Sequence, residues 1–87
     1  MAKILIVEDD KSIVTNLTEY LSSEGFEVES VAGQSDAIEK INQSKYHLIL
    51  LDISLRDGNG FAVCAAVKAN IDTPVIFLLL PMTNTVL

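Results

Sequence analysis

Lys3 to Val7 is a short, almost uninterrupted apolar and β-branched run that stops at Glu8-Asp9-Asp10. A strand buried on both faces of a parallel sheet reads this way. From the acids to Ser23 the apolar positions Ile13, Val14, Leu17 and Leu21 recur at helical spacing, with Gly25 following as a stop signal. Phe26, Val28 and Val31 fit a second strand. Asp36 to Asn42 then places Ala37, Ile38 and Ile41 on one helical face, with an acid in the first turn.

Tyr46 to Leu51 is a third buried run that ends abruptly at Asp52, and Arg56-Asp57-Gly58-Asn59-Gly60 is dense in turn and helix-start residues. Phe61 to Ala69 reads as a short helix whose nearly all-round apolar surface predicts that it is wedged against neighbours. Asp72-Thr73-Pro74 turns into a fourth run, Val75 to Leu80, closed by Pro81. The order is β-α-β-α-β-α-β. Strict alternation with short connections predicts an α/β fold, an open doubly wound parallel sheet with right-handed crossovers and helices on both faces.

Eighty-seven residues, 49% apolar and 21% charged, describe one domain over residues 1–87 and leave no material for a second. The apolar runs fall far short of the roughly 20 residues of a membrane span. The acidic start MAKILIVEDD lacks the pattern of a secretory signal, so a cytoplasmic location is expected, without membrane contact. The single cysteine, Cys64, rules out an internal disulfide and is expected to be a buried structural thiol. A net charge of −6 with only six Lys and Arg argues against direct nucleic-acid binding.

In open parallel sheets the ligand site lies outside the carboxyl ends of the strands, where Glu8, Asp9 and Asp52 are expected to converge. Three carboxylates at one rim repel, and each is driven towards protonation unless a cation sits among them. Magnesium, a hard ion that prefers oxygen ligands and keeps several waters, suits such a site. The simpler account, that Glu8, Asp9 and Asp10 only cap the first helix, leaves unexplained why Asp52 ends an otherwise apolar strand.

KILIVEDD, LILLDISLRDGNGF and DTPVIFL, in this order and at this spacing, resemble the receiver domains of bacterial response regulators, of the chemotaxis-protein-like, flavodoxin-like type. The resemblance covers residues 2 to about 78 and implies the strand order 2-1-3-4-5. It also implies that Asp52 accepts a phosphoryl group from the phosphohistidine of a sensor histidine kinase in two-component signalling. By the same resemblance Asp9 binds magnesium directly, Glu8 acts through water, and the backbone carbonyl of Ser54 completes the protein ligands alongside Asp52. The module would be a signalling phosphoprotein with no catalytic residues of its own, not an enzyme.

Two departures from the family pattern change the picture. Receivers carry Thr or Ser, then usually Ala, where this chain has Leu79 and Leu80, and leucine cannot hydrogen-bond a phosphoryl group. Thr83 and Thr85 lie beyond Pro81 and would need a different loop path to substitute. The chain also stops at Leu87, before the last helix-strand-helix of a receiver, and it has no lysine beyond Lys68 to stand for the one that contacts the phosphoryl group. The expectation is a shortened receiver in which the fourth strand becomes an exposed edge and drives homo-oligomerisation, a two-fold dimer first among the closed forms.

Among other chemistries, an aspartyl-phosphate phosphatase of the haloacid dehalogenase type resembles D-x-D at the strand end, whereas Ser54 stands two after Asp52. A flavodoxin would need a phosphate cradle where Glu8-Asp9-Asp10 would repel the flavin phosphate. A hydrolase triad fails because the lone His47 lies at the amino end of its strand, away from the acids, and is expected to be structural or exposed. Tyr20 and Tyr46 read as amphipathic residues at the edge of the core.

Overall fold

The computed structural model describes residues 2–52, 60–70 and 72–78, although the side chains of residues 60, 61, 64, 69 and 70 are not among those described. The elements are β1 (Lys3–Val7), α1 (Lys11–Ser23), β2 (Glu27–Val31), α2 (Gln34–Gln43), β3 (Leu48–Asp52), α3 (Gly60–Asn70) and β4 (Val75–Leu78). All strand pairs are parallel, and the sheet order is β2-β1-β3-β4. This is the doubly wound arrangement expected from the alternation of elements.

β1 and β3 occupy the interior of the sheet, so their side chains are covered on both faces, and Leu5, Ile6, Val7, Ile49 and Leu51 are fully buried. On one face α2 and α3 complete a core of Leu5, Val7, Ala37, Ile41, Tyr46, Ile49, Leu51, Val63 and Val67. On the other, α1 lays Val14, Leu17 and Leu21 over Ile4, Ile6 and Leu50. That second face is thinner, because none of the α1 side chains is fully buried.

Local chemistry sets the limits of α1. Asp10, in extended backbone, accepts at its side chain from Ser12 N and Ile13 N, which satisfies two of the otherwise orphaned donors of the first turn. At the other end Gly25 takes φ +95°. Phe26 N donates to Leu21 O at 3.1 Å and Gly25 N to Ser22 O at 3.0 Å, the paired bonds of a left-handed glycine cap.

Several element boundaries differ from the sequence expectation. Phe26 precedes β2 instead of opening it, because its N–H is used by the helix cap. β3 begins at Leu48, not Tyr46, and runs through Asp52, which pairs with Leu78. α2 starts earlier than expected, at Gln34 after the N-cap Gly33. α3 buries Val63 and Val67 but leaves Ala65 and Lys68 exposed, so it packs by one side and is not enclosed all round. Among the described residues no helix is long and apolar enough to cross a membrane. The thiol of Cys64 and the expected end of the fourth run at Leu79 and Leu80 lie outside what is described.

The two tyrosines part company. Tyr20 is 63% exposed on α1, so it is a surface residue. Tyr46 belongs to the core, and its hydroxyl donates to Glu29 Oε1 at 2.6 Å. Lys3 Nζ lies 3.4 Å from Glu29 and 5.2 Å from the Tyr46 ring centroid, and Lys40 Nζ lies 3.8 Å from Glu29. Burial, and then the Glu29 carboxylate, push the Tyr46 phenol up to about 12. The Tyr46 hydroxyl, with Lys3 and Lys40 adding to it, holds Glu29 below the ordinary carboxylate range. This cluster ties the edge strand β2 to the approach to β3, and Thr73, also buried, donates to Tyr46 O at 3.1 Å. Tyr46→Phe, which deletes the bond to Glu29 at nearly constant volume, is expected to cost about 1 kcal/mol. In a domain of this size that lowers the melting temperature by roughly 4–8 °C, and thermal unfolding followed by circular dichroism checks it.

Candidate metal and phosphoacceptor site

Val7 stands opposite Leu51 in the β1–β3 ladder, so the residues that follow emerge side by side at the carboxyl rim. Glu8, Asp9 and Asp52 each offer a carboxylate oxygen, and these atoms all lie within 4.8 Å of one another. Glu8 is only 4% exposed, whereas Asp9 and Asp52 are half-buried. Glu8 is tied down by its main chain, which donates to Val31 O at 3.0 Å, and by its carboxylate, which accepts from Asp10 N at 2.9 Å.

Burial, with added repulsion from Asp52, raises the Glu8 carboxyl to about 7, against the opposing pull of the Asp10 N–H. Side-chain hydrogen bonds to Asp52 and Asp9 raise it further. The donor set consists of hard carboxylate oxygens and needs positive charge, which fits a magnesium-type ion. Alongside lies an open groove of about 370 Å³, lined by Glu8, Asp9, Lys11, Val14, Thr15, Ser30, Val31 and Ala32.

Residues 4–83 match the family model described as the response regulator receiver domain. The chain belongs to that family. It is similar to the DNA-binding response regulator MtrA of Mycolicibacterium smegmatis, at 34% identity over 76 residues, covering 87% of this chain and 33% of that protein. Among solved structures, a two-component response regulator from Clostridium difficile superimposes with a TM-score of 0.85 at 32% identity, covering 88% of this chain and 64% of that one. The MaeR response regulator bound to beryllium trifluoride gives 0.82 at 33%, covering 90% and 66%. The receiver chain thus spans about a third of the length of the curated relative.

The receiver fold brings together three of the four residues proposed from sequence: Glu8, Asp9 and Asp52. The fourth, Ser54, lies outside the described residues, as do Leu79, Thr83 and Thr85. His47 is exposed, and its Nδ1 accepts from Lys3 N at 2.9 Å, near the amino end of β1. From sequence Asp10 reads only as a cap of the first helix. Its N–H on Glu8 had no sequence signal, because it depends on where the Glu8 side chain turns.

The raised Glu8 group makes the stability of the metal-free protein depend on pH. Glu8 is neutral in both folded and unfolded states below about pH 4.5, and its charge must be buried in the folded state above about pH 7. Its contribution to stability is therefore fully present at low pH and is lost as pH rises through about 7. Urea unfolding in chelator at several pH values is expected to show this loss in the wild type and a flatter profile in Glu8→Gln. Identical profiles would contradict it.

Proposed function

We propose that this receiver takes a phosphoryl group on Asp52 from the phosphohistidine of a sensor histidine kinase, with magnesium held by Asp9, Asp52, the backbone carbonyl of Ser54 and, through water, Glu8. The observation that carries the reading is the convergence of three carboxylates from the ends of β1 and β3. An Asp52 oxygen attacks phosphorus in line, the P–N bond to the kinase imidazole breaks, and an aspartyl phosphate remains. Bound magnesium would supply charge compensation for the carboxylates and the phosphoryl oxygens. Asp9 would contribute a direct ligand oxygen, and Glu8 would hold a water in the site. A two-component role of this kind belongs in the cytoplasm.

Magnesium titration is the direct test. Asp52→Asn removes one of few charged ligands and is expected to weaken binding, and equal affinity in the two proteins would displace the site. With magnesium and a small acyl phosphate, intact-mass analysis is expected to show one added phosphoryl group in the wild type and none in Asp52→Asn. Leu79 stands where the family has a hydroxyl, and loss of one positioned donor costs on the order of 10²-fold in rate. Modification is thus expected to be slow, and rapid stoichiometric transfer would show that another group serves.

A second reading, self-association without phosphorylation, is favoured by β4. Among the described residues β4 lies at one edge of the sheet, its Val75-Ile76-Phe77-Leu78 carries no charge and Ile76 is 52% exposed, whereas β2 at the other edge carries Glu27 and Glu29. Charges on an edge discourage strand pairing, and their absence invites it. Light scattering across a dilution series is expected to show a concentration-dependent dimer that Ile76→Lys dissociates. A wild-type monomer at micromolar concentration would overturn this reading.

A further inference from the structure

Three acids stand in a row after β1, and only two join the cluster: the converging set is Glu8, Asp9 and Asp52. Asp10 is exposed and turns its carboxylate to α1, where Oδ1 accepts from Ser12 N at 2.9 Å and Ile13 N at 3.2 Å. Its carbonyl accepts from Val14 N at 3.1 Å. These bonds pin the backbone of Asp10 at φ −85°, ψ 113°, and the same residue's N–H points back to Glu8 Oε2 at 2.9 Å.

We propose that Asp10 is a positioning residue for the metal site: by capping α1 it fixes its own N–H against Glu8 Oε2 and so sets the direction in which that buried carboxylate faces the water through which it holds the ion. The inference rests on the magnesium reading of Glu8, Asp9 and Asp52. Any residue at this position keeps an N–H, so the peptide group alone cannot explain the role. The side-chain bonds to Ser12 and Ile13 hold the peptide at its angle, and a hydrogen bond to a carboxylate weakens steeply as that angle drifts. Glu8 has little other freedom, being buried and anchored through its main chain to Val31, so a tilt at Asp10 passes straight to its oxygen.

Two substitutions separate positioning from charge and from fold stability. Asn keeps the capping oxygen and loses the charge, whereas Gly loses the oxygen and yet costs a helix start little. In titrations of the purified chain with magnesium chloride, Asp10→Asn is expected to bind within about twofold of wild type and Asp10→Gly about fivefold more weakly, the scale of one misaligned hydrogen bond to the Glu8 carboxylate. Melting temperatures in chelator are expected to be close for all three proteins. Equal affinity in Asp10→Gly and wild type overturns the proposal, as does Asp10→Asn binding as weakly as Asp10→Gly, which would assign the effect to charge. Should Asp10→Gly fail to fold, Asp10→Ala, which also lacks the capping oxygen, takes its place, and wild-type affinity in it overturns the proposal. Asp52→Asn, run alongside, tells the two readings apart. If it binds like wild type, or wild type does not bind, the metal site itself fails and this inference with it; if it binds weakly while Asp10→Gly does not, only the positioning role fails.

Discussion

Val7 and Leu51 face each other across the parallel ladder of β1 and β3, each fully buried, and the chain positions after them leave the sheet at one rim. The convergence of Glu8, Asp9 and Asp52 depends on that pairing. A slip of one residue would turn every side chain of β1 or β3 to the opposite face and carry Glu8 and Asp9 out of register with Asp52. The apolar core is therefore also the device that sets the spacing of the acids.

Holding that spacing is costly. Glu8 is almost wholly buried beside two other carboxylates, and its pKa, pushed up to about 7, records the resistance of the site to full ionisation. Around it the structure supplies fixed partners: Val31 O for the Glu8 main chain, and the Asp10 N–H for its side chain. Both are neutral groups, and three carboxylates close together at one rim favour a cation among them. Groups tuned in this way by burial and like charge are typical of functional sites.

The two faces of the sheet are unequal. Beneath α2 and α3, nine side chains form a closed core, reinforced by the Tyr46 hydroxyl on Glu29. Beneath α1, among the described residues, Ile4, Ile6 and Leu50 are buried, while Val14, Leu17, Leu21, Val28, Leu48 and Leu78 remain partly accessible. α1 nevertheless carries the cap at Asp10, next to the acids. The lighter-packed layer is the one that reaches the site, and the denser one secures β1 and β3 from the other side.

The alternation of elements, the parallel sheet and the residues Glu8, Asp9 and Asp52 were all legible from the chain alone, because interior parallel strands must be apolar along their whole length and an acid at their end stands out. The stop at Gly25 was legible for a similar reason, since a left-handed cap favours the residue without a Cβ. Periodicity could not separate the two tyrosines, which share an amphipathic character until the fold gathers Tyr46 into the core with Ala37 and Ile41 and leaves Tyr20 in water. It also misjudged where β2 and β3 begin, because the Phe26 N–H is claimed by the α1 cap, and Tyr46 precedes the ladder while its side chain fills the core. What the sequence determined by itself was which residues could be strand, helix and acid rim. Only the tertiary structure decided that Asp10 would turn away to cap α1 while its N–H turned back to Glu8, since that division depends on a hydrogen-bond direction no linear pattern encodes.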